Sequence, residues 1–174
     1  MRAILTPMSI VSVILSGAIF GFFYAWVCST MWGLDAADPR VAIAAMQAMN
    51  ASVRNVVFAP AFFFTPFALA IKSILAFRTE RLSAAVWFMA ASLIYLLLGM
   101  TLTMTVNVRM NEALALQTVP DDIESARAIW QDYSQPWQFW NTTRTIASGI
   151  SFVFAASGLL ALGRENASSS QRIA

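Results

Sequence analysis

An all-α bundle of four transmembrane helices is the fold class that this sequence predicts. Hydrophobic residues make up 59% and charged residues 11% of the 174 residues, whereas soluble domains are about 45–50% apolar and about 25% charged. Four runs contain no charged residue: Ala3–Leu34, Asn55–Ile71, Leu82–Val108 and Thr145–Gly163. A membrane-spanning helix needs about 20 mostly apolar residues, so helical flanks must extend the two shorter runs. None of the runs shows the period-two alternation of a transmembrane barrel.

The first run is expected to be a helix that stays in the membrane. Its apolar stretch is much longer than the roughly 7–15 residues of a signal-peptide core. Gly17, Gly21, Ala25 and Ser29 recur at every fourth position, and such a row of small residues lets another helix approach closely. The row indicates packing inside one bundle, or a homo-oligomer formed through the Gly17/Gly21 face.

The second run contains Pro60 and Pro66. Each proline lacks a backbone donor and tends to kink its helix, so a carbonyl one turn earlier loses its partner. We expect Thr65 or a neighbouring helix to satisfy these carbonyls, unless they line a cavity.

Short helical segments are predicted in both loops at the end of the bundle opposite the termini. Asp38 followed by Pro39 is typical of a helix N-cap with proline at the first helical position. Asp121 and Asp122 suit the positive end of a second helix dipole, and Pro136 is expected to open the fourth span.

The distribution of basic residues predicts an inner-membrane protein with both termini in the cytoplasm. The end with the termini carries an excess of positive charge, and the two longer loops at the other end carry an excess of acids. The basic residues of the first end are Arg2, Lys72, Arg78, Arg81, Arg164 and Arg172. Residues 1–165 are predicted to form one membrane domain, followed by a disordered polar tail over residues 166–174.

The composition also excludes several kinds of chemistry. The chain has no histidine and one cysteine, which excludes imidazole-ligated metal, His-ligated haem, Cys-ligated clusters and a histidine base. Loop carboxylates are too scattered to predict a metal site. A net charge of +2 is too small to indicate nucleic-acid binding. We therefore expect no metal and no other cofactor.

Amide, guanidinium and indole side chains gather near the ends of the spans that face away from the termini. Asn50 and Arg54 are four residues apart, as are Asn107 and Asn111, and Gln47 shares the face of Asn50. Asn107 and Asn111 continue a row at every fourth position of the third span, through Ala91, Tyr95, Gly99 and Thr103. The fourth span carries Trp137, Trp140, Asn141 and Arg144 along one stripe. Arg109 lies near Asn107 in sequence but about 200° around the helix from it. If the helices form a bundle, these stripes can converge.

Each of these residues also has an ordinary structural interpretation. Arginines at membrane ends extend to lipid phosphates, tryptophans form interfacial belts, and asparagines cap or join helices. As a group, however, arginines and amides donate hydrogen bonds and stabilise anions. Together with tryptophans, they suit a flat, lipophilic molecule that carries or develops negative charge on oxygen: a phenol, an enol or a quinone.

The sequence resembles the family of small membrane proteins called DUF1772, or anthrone oxygenase-like. The resemblance runs from about Leu15 to Gly158. Its matching stretches are Gly17–Ala25 (GAIFGFFYA), Met46–Asn50 (MQAMN), Val106–Leu114 (VNVRMNEAL), and Trp130, Trp137 and Trp140–Thr145 (WNTTRT). Met110 stands where the family usually has proline.

The resemblance implies a four-helix membrane fold and an activity on anthrones, which some fungal members oxidise to anthraquinones. An anthrone enolate can react with dioxygen directly, without a cofactor. The residues expected to act on the enolate are Arg144, Asn141, Asn107 and Arg109. Those expected to bind substrate are Asn50, Arg54, Asn111, Trp137, Trp140 and Gln47. The alternatives are a non-catalytic accessory or lipid- or quinone-binding protein, and a small transporter, although no acidic residue lies inside a span to couple protons.

Overall fold

The computed structural model describes the backbone of residues 2–171 and the side chains of residues 6–165. The described chain is helical and contains no strand. Its helices are α1 (Arg2–Ala25), α2 (Met31–Ala36), α3 (Pro39–Ser52), α4 (Phe58–Arg78), α5 (Leu82–Ile94), α6 (Val108–Ala115) and α7 (Ile123–Gln171). Three π-helical segments join them: Trp26–Thr30 between α1 and α2, then Tyr95–Thr101 and Thr103–Asn107 between α5 and α6.

Four stretches of helix are long and apolar enough to cross a membrane, as predicted. They are Thr6–Ala36, Phe58–Arg78, Leu82–Ala115 and Ile123–Glu165, called here spans 1 to 4. Spans 2 and 4 are longer than the uncharged runs because their helices continue into polar sequence at the ends. α7 packs on α1 and α5, and α4 packs on the same two helices, so the four spans form a closed bundle.

The bundle has two different ends. The turn end carries the tight connection between α4 and α5, where Glu80 has a left-handed backbone (φ 62°). The cap end carries α3 and the start of α7. Asp38 caps α3 by accepting a hydrogen bond from the Arg40 backbone N–H at 2.9 Å, and the Arg40 guanidinium donates to the Asp121 carbonyl at 3.1 Å. Arg40 thereby connects the two loops of the cap end.

The fourth span begins earlier than the sequence suggested. Asp122 caps α7 through the Ser125 backbone N–H, at 2.9 Å, as its acidic character predicts. The expected new start at Pro136 is wrong, because α7 passes through that residue without a break. Asp132 and Pro136 are both exposed, so the carbonyl that loses its donor at Pro136 can bond to water instead. α7 also continues to Gln171, into the predicted tail; residues 172–174 lie outside the described part, and disorder of the tail stays a prediction.

A tyrosine from the neighbouring span satisfies the carbonyl freed by Pro66. Proline at position 66 removes the donor that would normally bond to the carbonyl of Phe62. The Tyr95 hydroxyl, on a residue that is 1% exposed, donates to this carbonyl at 3.0 Å. The Ser92 hydroxyl donates to the Pro66 carbonyl at 2.7 Å. Of the predicted alternatives, a neighbouring helix is therefore confirmed for this carbonyl.

The row of small residues in α1 is used partly inside the bundle. Gly17 lies against the ring of Phe152 in α7: a Cβ on Gly17 would come within 3.1 Å of that ring. No other group approaches within 4 Å of the corresponding position on Gly21. Packing within the chain thus explains Gly17, and a homo-oligomer through Gly21 stays a prediction.

Candidate functional site

The third span brings a row of polar side chains to the interior near the cap end. Tyr95, Thr103 and Asn107 are all buried and follow the every-fourth spacing noted in the sequence. In an α-helix of about 3.6 residues per turn, such a row would rotate by about 40° at each step. The π-helical turns contain more residues each, because their hydrogen bonds reach one residue further. Four residues therefore complete less than a full π-helical turn, which offsets the rotation from the α-helical turns. The row stays on the face that contacts the bundle.

Arg144 lies at the centre of the candidate site. The residue is 4% exposed. Its Nε and one terminal nitrogen donate to the Asn141 Oδ1, at 3.0 and 2.8 Å, and its other terminal nitrogen donates to the Thr103 hydroxyl at 3.2 Å. The central carbon of the guanidinium lies 4.3 Å from the ring centre of Phe23 and 5.3 Å from that of Trp137. Spans 1, 3 and 4 therefore all help to fix this side chain.

Arg144 has no ion-pair partner among the described carboxylates. Among the residues whose side chains are described, none comes within ion-pair distance of its guanidinium. A buried charge normally needs a partner, because its removal from water is costly. The guanidinium also has N–H donors beyond the three bonds it makes. This arrangement favours an anionic or strongly polarised oxygen as the missing partner.

Three asparagines extend the polar group towards the cap. The Asn111 Oδ1 accepts hydrogen bonds from the Tyr133 hydroxyl and the Trp137 indole N–H, both at 2.8 Å. Asn107 is completely buried, and neither of its amide atoms has a hydrogen-bond partner; the amide nitrogen of Asn50 is also buried. Unpaired buried amides are costly, so these groups retain hydrogen-bonding capacity for a ligand or for water.

A cavity of about 1070 Å³ opens beside this group. Its walls come from α1, α3, the loop between α3 and α4, α4, the third span and α7. Of the predicted residues, those that line it are Asn50, Arg54, Asn111, Trp137 and Arg144. Most of the other lining residues are apolar, including Phe22, Phe23, Phe58 and Phe62. The cavity therefore combines an apolar, aromatic wall with one buried cation.

The mouth of the cavity has a polar and an apolar part. Arg54 and Glu112 form an exposed ion pair of 3.2 Å across the polar part, joining the loop before α4 to α6. Phe63 and Met104 also line the cavity, yet both are exposed on the outer face of the bundle within spans 2 and 3. An opening with these walls is accessible to lipophilic molecules.

Five predicted site residues do not line the cavity. Arg109 is exposed, because it lies on the opposite side of the helix from Asn107. Trp140 is half-buried and packs on Phe139, with ring centres 5.1 Å apart. The Gln47 amide donates to two carbonyls at the end of the third span, Leu114 and Gln117, both at 2.9 Å. Asn107 and Asn141 are buried behind the cavity wall, where Asn141 orients Arg144.

Sequence reasoning missed Asp35, which holds α7 in place. One oxygen of its carboxylate accepts hydrogen bonds from the Trp130 indole N–H at 2.9 Å and the Ser134 hydroxyl at 2.7 Å. The other oxygen accepts from the Gln138 amide at 2.8 Å. These donors recur every four residues along α7, a spacing that could have indicated a common acceptor. Asp35 thus fixes the part of α7 that carries Trp137.

A metal centre would need several ligating side chains close together. No group of three or more His, Cys, Asp or Glu residues comes together within the part of the chain whose side chains are described.

Comparison with known proteins gives a family and no individual relative. A family model described as anthrone oxygenase matches residues 54–154, which is more than half of the chain and includes Arg54, Asn107, Asn111, Trp137, Asn141 and Arg144. No curated protein and no solved structure matches.

Proposed function

Because this chain belongs to the anthrone oxygenase family, we propose that it oxygenates an enolisable, lipophilic aromatic molecule in the cavity at the cap end. The substrate class is a phenol or a ketone with an acidic C–H bond. In the proposed reaction, a ring CH2 group and O2 give a carbonyl group and water. Dioxygen is the oxidant, and the proposal assigns no cofactor.

The observation that carries this proposal is the buried, unneutralised guanidinium of Arg144. When the substrate loses a proton, negative charge develops on its oxygen. A fixed donor with positive charge stabilises such an oxygen strongly in a site from which water is excluded. Asn141 holds the guanidinium in place beforehand, so little reorganisation is needed when the charge appears.

The rest of the cavity suits the remainder of such a molecule. Small-molecule sites in proteins have volumes of about 300–1,000 Å³ and mostly apolar walls with a few polar groups. The rings of Phe23 and Trp137 lie beside Arg144 and provide faces for stacking a flat substrate. Asn50 and Asn111 add amide groups along the polar wall, and Arg54 lies at the mouth. In this proposal Asn107, behind the wall, holds a water molecule that hydrogen-bonds towards the site.

Oxygen consumption tests the proposal. The full chain in lipid nanodiscs is given an anthrone or a naphthol, and uptake above the spontaneous rate is measured. Arg144→Met is expected to lower kcat/KM by about 10²–10³, the usual effect of removing one such donor. Arg127→Met is the matched control, because Arg127 is exposed on the same helix and paired with Glu124. Arg109→Met is expected to behave like this control.

The outcomes separate an enzyme from a carrier. Substrate-dependent uptake that falls in Arg144→Met and not in Arg127→Met supports an oxygenase. Tight binding of the same compounds without uptake, across a panel of phenols and anthrones, would contradict catalysis and favour the non-catalytic lipid- or quinone-binding alternative.

We further propose that the protein resides in the cell inner membrane with its cap end outside the cytoplasm. The charge bias between the two ends supports this orientation. Reporter fusions after Arg78 and after Thr118 test it: a cytoplasmic signal is expected at Arg78, and a periplasmic signal there would contradict the orientation.

A further inference from the structure

The proposed reaction needs a group that accepts the substrate proton, and most of the polar side chains around the cavity cannot do so. The present inference rests on the proposed function. Arginine stays protonated in proteins, and asparagine amides and tryptophan indoles have no basic site near neutral pH. Arg144, Asn50, Asn111 and Trp137 can therefore bind and stabilise an anion without being able to generate it.

Glu112 is the one carboxylate among the described residues that line the cavity. One of its oxygens lies 3.2 Å from a terminal nitrogen of Arg54, another lining residue. This ion pair holds the carboxylate at the mouth. Side chains of an α-helix tilt towards the N-terminus of the helix, which for α6 is the direction of Thr103 and the interior. This tilt favours a Glu112 side chain that points from the mouth towards the buried part of the cavity, which Arg144 lines.

The separation of these two groups defines a substrate geometry. Arg144 is hydrogen-bonded to Thr103, and Glu112 follows Thr103 by nine residues of the same span. This is at most about 13.5 Å along the helix axis at about 1.5 Å per residue, because the π-helical segment Thr103–Asn107 is more compact than an α-helix. We infer that Glu112 is the base that removes the substrate proton while Arg144 binds the substrate oxygen. A substrate that reaches both groups has its oxygen and its reacting carbon on opposite sides of the molecule, as in the anthrones for which the family is named.

The proton and electron balance of this step is simple. The Glu112 carboxylate takes the proton of the C–H bond, and the electron pair of that bond remains on the substrate as an enolate whose oxygen lies on Arg144. The carbon is oxidised by O2, forming a C–O bond and a peroxide anion, which takes the proton back from Glu112. Glu112 then removes the second proton from the same carbon as the O–O bond breaks. The carbonyl forms, and the departing hydroxide takes that proton to leave as water.

Hydrogen–deuterium exchange without oxygen isolates this role from oxygenation. The full chain in nanodiscs is incubated anaerobically with anthrone in D2O, and deuterium incorporation at the CH2 carbon is measured. Glu112→Gln is expected to lower the protein-dependent exchange rate by about 10²–10⁴-fold, the usual contribution of a general base. The matched control is Glu124→Gln, which also removes an exposed, ion-paired carboxylate but lies outside the cavity lining; it is expected to exchange at the wild-type rate.

Further measurements make each outcome decisive. Binding of anthrone, followed by tryptophan fluorescence, is expected to be unchanged in Glu112→Gln, and Glu112→Asp is expected to restore part of the exchange. Exchange in Glu112→Gln within about threefold of wild type would overturn the role of Glu112 and leave the proposed oxygenation standing. A wild-type protein that binds anthrone but does not accelerate exchange would overturn both the base and the proposed function.

Discussion

Pro66 cannot donate a backbone hydrogen bond to the Phe62 carbonyl, and we expect the Tyr95 hydroxyl to serve as the replacement donor. A double-mutant cycle at positions 66 and 95 tests this. Tyr95→Phe removes the hydroxyl that donates at 3.0 Å and leaves the carbonyl without its donor. Hydrogen bonds between membrane helices contribute about 0.6 kcal/mol on average and up to about 1.7 kcal/mol. A buried carbonyl left unpaired costs about 1–3 kcal/mol. We therefore expect Tyr95→Phe to lower the free energy of unfolding by about 1–2 kcal/mol.

In a Pro66→Ala background, Tyr95→Phe is expected to lower the free energy of unfolding by much less. An alanine at this position supplies a backbone N–H that can bond to the Phe62 carbonyl, so the Tyr95 hydroxyl is no longer required. The expected coupling energy is about 1 kcal/mol, within the range found for directly interacting groups, measured by reversible unfolding in mixed micelles. Tyr24→Phe is the control, because Tyr24 is half exposed, and a change below about 0.5 kcal/mol is expected. If Tyr95→Phe lowered the free energy of unfolding equally with proline and with alanine at position 66, the Tyr95 hydroxyl would not be replacing a donor that Pro66 lacks.

Two further expectations concern packing and the cap. Gly158→Ala would place a Cβ 2.9 Å from the fully buried ring of Phe88, whereas Gly163→Ala meets nothing within 4 Å. The first should destabilise the bundle by about 1 kcal/mol or more and the second should stabilise it by up to about 1 kcal/mol; thermal unfolding that shows the same sign for both would contradict this packing. At the cap, the hydrogen bond from the Arg40 side chain lowers the pKa of Asp38 from 3.8 to about 2. Because the folded-state pKa is the lower one, the contribution of Asp38 to stability is complete above pH 3.8 and is lost as the pH falls through about 2. The Arg40 amide resonance should titrate with a midpoint near 2, and a midpoint near 3.8 would contradict the contact.

The positions of the spans could be read from the sequence because bilayers require long apolar helices. The polar row of the third span was also visible, from Tyr95 to Asn111. The sequence did not reveal why this row stays on one side, since an α-helix would rotate it away. The cause is the pair of π-helical segments, which the sequence pattern did not predict.

The three arginines predicted as site residues look alike in sequence and differ in the structure. Arg144 is buried, Arg54 is paired at the mouth, and Arg109 is exposed. Helical spacing can place a residue on a stripe, but which stripe faces the interior depends on how the bundle is assembled. Arg144 could be favoured in advance because it shares a stripe with Trp137 and Asn141. Arg109 was already separated from Asn107 by its position around the helix.

Lys72 shows another limit of sequence reasoning. It was counted among the positive charges at the turn end, where lysines usually extend to the membrane surface. In the structure it is completely buried, its amine has no hydrogen-bond partner, and it lies 5.6 Å from the ring centre of Phe88. The sequence shows the position of Lys72 along the span but not that its side chain turns inward. The proposed orientation of the protein in the membrane therefore rests on the other basic residues of that end.

The proposed function requires that the Arg144 cavity bind a lipophilic molecule through a negatively charged oxygen. The most direct test is the ionisation of protein-bound 2-naphthol, followed by its absorbance as the pH is varied. A cation within about 4–6 Å lowers the pKa of an acid by about 1–3 units, so bound naphthol should ionise at a lower pH than free naphthol, and Arg144→Met should abolish the shift. Binding of the oxygen by Arg144 would be contradicted if bound naphthol ionised no more readily than free naphthol. It would also be contradicted if the pKa shift were equal in wild type and Arg144→Met.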